Sequence, residues 1–110
     1  MDFWLILSVL VFAHYILDFS LQSQFMSEYK GKDHYVMFIH CFIWSFGLLF
    51  VLMFLGVFSA WMIPYLFVIH YVVDTWKARR WYICSDRCAF YTDQAIHLVQ
   101  IVVIATVCVW

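Results

Sequence analysis

Four apolar stretches of this 110-residue chain each carry a histidine, and in three of them an aspartate stands four residues away: His14/Asp18, His70/Asp74 and Asp93/His97, with His40 alone in its stretch. Residues four apart are neighbours on one face of a helix. Ionisable groups at membrane depth cost several kcal/mol and need a partner or a task. A chain with this pattern therefore has to fold so that the four stretches meet on their polar faces.

The surroundings of these groups place them in a bilayer. The chain is 67% hydrophobic and 23% aromatic, only 12% of its residues are charged, and its mean hydropathy is +0.91, values outside the range of water-soluble domains. A span needs about 20 residues, so the sequence predicts a single transmembrane domain over residues 1–110, all-α, an antiparallel bundle of four transmembrane helices at approximately 3–22, 35–56, 61–77 and 90–110. Pro64 falls in the first turn of the third helix, where its missing N–H is tolerated. The first stretch reads as a retained helix rather than a signal peptide, because no positive charge precedes it and His14 and Asp18 interrupt the place of a cleavage motif.

All six Lys and Arg fall in the first loop (Lys30, Lys32) or at and after the end of the third span (Lys77, Arg79, Arg80, Arg87). The positive-inside rule then predicts an inner (cytoplasmic) membrane protein with loops one and three in the cytoplasm and both termini outside. Trp61 and Tyr65 at one end, and Trp76, Trp81, Tyr82 and Tyr91 at the other, are expected to anchor the interfaces. No basic tail points to nucleic acid. Cys41, Cys84, Cys88 and Cys108 show neither a disulfide framework nor zinc-finger spacing and are expected to be reduced thiols. His34 reads as a solvated loop histidine.

At 1.5 Å per residue, His14, His40, His70 and His97 all lie about 8–12 Å from the cytoplasmic ends of their helices. Asp18, Asp74 and Asp93 lie about 6 Å closer to that end. The order His-x-x-x-Asp in spans one and three, reversed in span four, is what an antiparallel helix needs to keep its carboxylate on the same level. Seven donors on four helices thus converge. Neutral imidazoles and carboxylates suit a divalent transition metal, Zn, Mn, Fe, Co or Ni, as one or two ions. The expected metal ligands are His14, Asp18, His40, His70, Asp74, Asp93 and His97, with Asp18, Asp74 and Asp93 also available for proton transfer. Lys77 and Arg87, with the amides of Gln22 and Gln94, are expected to meet a substrate. A metal-free relay or a hydrogen-bonded staple of helices is the alternative.

The residues His14-x-x-x-Asp18-Phe19-x-Leu21-Gln22, Lys30, His40, His70-x-x-x-Asp74-x-x-Lys77 and Asp93-Gln94-x-x-His97 resemble an uncharacterised family of small bacterial and phage integral membrane proteins, known as a domain of unknown function. The resemblance runs along most of the chain. It implies a multi-helix membrane protein with a polar, metal-binding centre and brings no reaction with it. In His/Asp content, though not in aligned motifs, the chain is also distantly similar to predicted membrane-bound metal-dependent hydrolases.

No Gly-x-Ser-x-Gly, P-loop or dinucleotide fingerprint occurs. The expected function is a metal-dependent hydrolase that admits a lipid-like or amphipathic substrate from the bilayer. The alternatives are a structural or partner-binding membrane protein with a metal staple, acting as a homo-oligomer or with another membrane protein, and a metal or proton transporter.

Overall fold

A computed structural model of the chain describes residues 2–20 and 22–109. Leu21 of the first motif and Trp110, the expected end of span four, lie outside them. Among the described residues there are five α-helices and no strand: α1 (Phe3–Tyr15), which runs on into a π-helical turn (Ile16–Ser20), α2 (Gln24–Tyr29), α3 (His34–Phe54), α4 (Met62–Ala78) and α5 (Asp86–Val109). α1 and α4 each pack against both α3 and α5. The four long helices therefore form a square up-down-up-down bundle, with α1 and α4 on one diagonal and α3 and α5 on the other.

Local chemistry sets the helix ends. The carboxylates of Asp2 and Asp33 accept the N–H of Trp4 and Tyr35 at the starts of α1 and α3, and the Ser23 hydroxyl accepts that of Met26 at the start of α2. α3 closes at Gly56, whose φ of 77° lets Val57 N–H reach Leu52 O and Gly56 N–H reach Met53 O, a Schellman ending. α4 closes in the same way, Trp81 N–H on Trp76 O and Arg80 N–H on Lys77 O. Here the left-handed residue is Arg80, at φ 57°.

The helical architecture agrees with the sequence, with several differences. α2 is an additional short helix inside the first connection. The fourth long helix starts at Asp86 rather than near residue 90, because Ser85 Oγ accepts Cys88 N–H and Ser85 O accepts Ala89 N–H, a cap set within the supposed basic loop. Three helical segments are long and apolar enough to cross a membrane: Phe3–Ser20, His34–Phe54 and Asp86–Val109. α4 has 17 residues and rises about 26 Å, less than the about 30 Å of a bilayer's hydrocarbon.

The interior is divided in two. Ile6, Leu10, Leu48, Leu52, Leu66 and Ile104 fill one end of the bundle, while the buried charged and imidazole side chains occupy the other. The surface along the long helices carries exposed apolar side chains: Phe12 is 68% exposed, Phe50 70% and Phe54 91%. Acids inside and phenylalanines outside are consistent with a membrane protein.

One glycine controls how the first connection meets the bundle. A Cβ on Gly31 would stand 2.8 Å from the backbone oxygen of Ala78, so the loop rests directly on the end of α4. Gly31→Ala is expected to destabilise the protein by about 1–3 kcal/mol through overpacking and to draw the neighbouring Lys30 out of the interior. Thermal unfolding in detergent measures this.

Candidate metal centre

The π-helical turn decides where the first aspartate points. Its wider winding rotates Asp18 away from the direction a regular helix would give it, so that one carboxylate oxygen faces His40 on α3 while the other meets Gln94, the amide that His14 also contacts. Asp18 Oδ1 stands 3.4 Å from His40 Nε2, which is 2.9 Å from Asp74 Oδ2 and 3.2 Å from His70 Nε2. His70 Nε2 is 3.7 Å from Asp74 Oδ2. One donor atom from each of Asp18, His40, His70 and Asp74 lies within 4.8 Å of all the others, and the four residues are buried. This is an Asp/His/His/Asp cluster that could hold a metal ion.

The spacing of the donors is compatible with a bound cation. Donors bound at about 2.0–2.2 Å in a tetrahedron stand about 3.3–3.6 Å apart, close to these separations. His40 Nε2 faces three acceptor-capable atoms and carries at most one proton to share among them. Among the described residues, His70 Nδ1 and Asp74 Oδ1, which lie outside the converging set, are buried with no hydrogen-bond partner. Two nitrogens and two oxygens make a donor set suited to borderline divalent metals.

Around this cluster lies a second layer whose hydrogen bonds can be followed proton by proton. The indole N–H of Trp44 can only donate, and it meets His14 Nδ1 at 3.0 Å. His14 therefore carries its proton on Nε2 and donates it to Gln94 Oε1, 3.0 Å away. The Gln94 amide in turn donates to Asp93 Oδ2 at 2.9 Å and to Asp18 Oδ2 at 3.4 Å. Asp93 also accepts from Lys77 Nζ at 3.1 Å and meets His97 Nε2 at 3.0 Å. Trp44 stacks on His70, ring centroids 4.0 Å apart and planes at 12°, fixing the imidazole whose Nε2 enters the cluster.

Of the seven expected ligands, the structure brings four together, Asp18, His40, His70 and Asp74. It sets the other three, His14, Asp93 and His97, in the adjoining layer, with both His14 nitrogens already engaged. His40, alone in its stretch, is the hub. Asp93 and His97 keep the contact within one helix that their spacing suggested; Asp18 finds its imidazole on another helix.

A cleft of about 500 Å³ opens at the same end of the bundle. Four cations, Lys30, Lys32, Lys77 and Arg80, and two carboxylates, Glu28 and Asp86, line it. Lys30 belongs to both cleft and cluster: it is 6% exposed and its Nζ donates to Asp74 Oδ2 at 2.9 Å. Of the expected substrate contacts, Lys77 and Gln22 are in the wall, and Gln22 Nε2 donates to Asp18 O at 3.3 Å. Gln94 lies deeper, in the second layer. Arg87 is exposed and outside the wall; Arg80 takes that place. Tyr82 donates to Asp86, and this bond raises its phenol above the ordinary value, so it brings no negative charge to the cleft. His34 is exposed, beside Arg79 and Tyr71.

Sequence reasoning missed Trp44, Gln100 and the inward role of Lys30. Trp44 is four residues past His40 and Gln100 three past His97, so helical spacing alone could have put both on the polar face. Gln100 Nε2 donates to Tyr65 O at 2.9 Å and Tyr65 OH to Gln100 O at 3.1 Å. Tyr65, expected at an interface, thus ties α4 to α5. For Lys30 no local signal exists, because its partner is 44 residues away.

A family model described as protein of unknown function (DUF3307) matches residues 6–110. The chain belongs to that family. Neither a curated protein nor a solved structure matches it.

Proposed function

We propose that this member of the family is a metal-dependent hydrolase of the membrane, acting on an ester-bearing amphiphile that enters from the cleft end of the bundle. The convergence of His40 Nε2, His70 Nε2 and oxygens of Asp18 and Asp74 on one point carries the reading. α4 serves as a fourth, short span, and the basic end, with Lys30, Lys32, Lys77 and Arg80, faces the cytoplasm in accord with the positive-inside rule. A divalent Zn, Mn, Fe, Co or Ni ion held by Asp18, His40, His70 and Asp74 would supply Lewis-acid activation of water and of the ester.

The remaining work falls to the chain's own groups. Trp44 and the Gln94 bridge hold His70 and Asp18 in their rotamers, the support that ligand side chains need. Asp74 has one oxygen in the donor set and another, Oδ1, with no hydrogen bond. That oxygen takes a proton as water adds to the ester and the bond to the alcohol breaks, then returns it to the departing alcohol, so that one water is consumed. Lys77 Nζ, 3.8 Å from Asp74 Oδ1, keeps the carboxylate oriented.

A second reading has one observation in its favour. Asp18 is 5% exposed and His40, His70 and Asp74 at most 1%, the closure of a structural metal site rather than an open catalytic one. In that case the metal staples α1, α3 and α4. Transport is disfavoured, because Ile6, Leu10, Leu52 and Leu66 fill the far half of the bundle.

Detergent-purified protein is expected to retain stoichiometric divalent metal by elemental analysis and to hydrolyse members of a panel of phospho- and acyl-ester lipids, with activity lost on chelation and restored by metal. Full metal content with no turnover on any of them would overturn the hydrolase and leave the staple.

A further inference from the structure

We infer that Arg79, with His34 and Tyr71, holds the phosphodiester headgroup of an anionic phospholipid whose acyl chain lies along the outer face of α4. The site stands apart from the metal centre and does not depend on the hydrolase reading.

The cations around the end of α4 differ in whether their charge is already answered. Lys30, Lys77 and Arg80 are each paired with a carboxylate, that of Asp74, Asp93 and Asp86. Arg79 is not: among the described residues no carboxylate stands within ion-pair distance of it. Its polar neighbour is the imidazole of His34, with Nη2 standing 3.2 Å from Nε2 and 3.4 Å from Nδ1. The two ring nitrogens flank one carbon, so a point almost equally near both lies over the ring face and not along either lone pair. The guanidinium is therefore stacked on the imidazole, with its central carbon 5.9 Å from the Trp81 ring, the packing arginine adopts on aromatic surfaces. Stacking fixes its plane but gives the N–H groups at its edge no acceptor, and Nε is buried without a partner. Asp33, next to His34, is engaged at the start of α3, where it accepts the Tyr35 N–H at 2.8 Å. The fork of a guanidinium fits two oxygens of one phosphate. A single unpaired guanidinium calls for a single negative charge, the charge of a phosphodiester.

An apolar groove on the same helix makes the ligand a lipid. Phe67, Val68, Tyr71 and Val72 line a groove of about 210 Å³. Val68 and Val72, 53% and 60% exposed, point outward from a helix whose His70 and Asp74 are buried. Tyr71 belongs to both parts of the site: its ring lines the groove and its hydroxyl stands 3.5 Å from His34 Nδ1. Val72 lies about 10 Å from Arg79 along the helix, whereas the polar layer on each side of the hydrocarbon is about 5–8 Å thick. A guanidinium among the phosphates thus leaves the groove at the depth of acyl chains. An anionic lipid fits better than a zwitterionic one, whose ammonium offsets the attraction to Arg79.

The test uses full-length protein with its metal content left as purified, titrated in detergent with phosphatidylglycerol or phosphatidylcholine of matched chains and read by native mass spectrometry. One phosphatidylglycerol per chain is expected to be held about tenfold more tightly than phosphatidylcholine. Arg79→Gln is expected to lose about tenfold in phosphatidylglycerol affinity, the scale of a hydrogen bond to a charged group, and Val68→Trp, which fills the groove, to lose affinity for both lipids. Circular dichroism of each variant checks that the bundle is intact. Arg87→Gln, which alters another exposed cation at this end, is expected to change nothing. Glycerophosphoglycerol, the same headgroup without chains, is expected to leave the bound lipid in place. Equal affinity for the two lipids overturns the proposal, as does a folded Arg79→Gln protein that binds as the parent does, or an Arg87→Gln effect as large as that of Arg79→Gln. Displacement by the chain-free headgroup as effective as by intact lipid overturns the lipid as its source. These readings involve neither metal binding nor turnover, so this inference and the hydrolase fail separately.

Discussion

His40→Ala is expected to empty the metal centre, lowering metal affinity by well over about 100-fold, whereas His14→Ala is expected to lower it by only about 10–100-fold, the range for a group that supports ligands without being one. The two histidines are equally buried, at 1% and 0% exposure, and sit at similar depths in their helices, so burial cannot separate them. Their partners do. His40 Nε2 lies within 3.4 Å of Asp18, His70 and Asp74 atoms, whereas both His14 nitrogens are held by Trp44 and Gln94. Competition titration against a chelator, with elemental analysis of each purified variant, measures the difference. A His14→Ala protein as empty as His40→Ala would mean that the donor set extends into the second layer and that the four-residue centre is wrong. Trp44 offers an independent readout: stacked on His70, its emission is expected to change on metal binding, and Trp44→Phe to remove that change.

These two histidines also mark how far the sequence could be read. Hydropathy and depth arithmetic were enough to bring all seven acids and imidazoles to one end of an all-helical bundle, because both rest on the constant rise of an α-helix. What they could not give was direction within that end. The π-helical turn at Ile16–Ser20 breaks the regular rotation that made His14 and Asp18 partners on paper. Pairings such as Asp18 with His40, or Asp74 with Lys30, depend on which helices are neighbours in the square, information that no periodicity carries. Lys30 illustrates the limit most clearly. Read alone, it is one of six cations explained by topology; only the close contact of Gly31 with the end of α4 brings it under the protein surface.

Asp74 is where the burial of that lysine has its largest energetic consequence. In chelator-treated protein, Asp74→Ala is expected to cost about 3–5 kcal/mol of stability, the range for removing one member of a buried ion pair. The Lys30 ammonium, with a side chain 7% exposed, loses its counter-charge, and His40 Nε2 loses its nearest acceptor. The value should fall toward the lower end, since Lys30 lines the cleft and can turn its head toward water. Lys30→Met alone is also expected to be costly, because it leaves Asp74 with only a 3.8 Å approach from Lys77 among the ammoniums. The double variant Lys30→Met/Asp74→Ala removes both charges and is expected to be more stable than the sum of the single losses by about 2–3 kcal/mol, the coupling of groups in direct contact. Unfolding equilibria of the four proteins in detergent or bicelles complete the cycle. Additive losses would show that the ammonium and the carboxylate do not depend on each other, removing the link between cleft and cluster. Repeating the cycle with metal bound separates the two roles of Asp74: as a ligand, its loss should cost more when metal is present, while the penalty for Lys30→Met should shrink, because the divalent cation then supplies the positive charge that Asp74 needs.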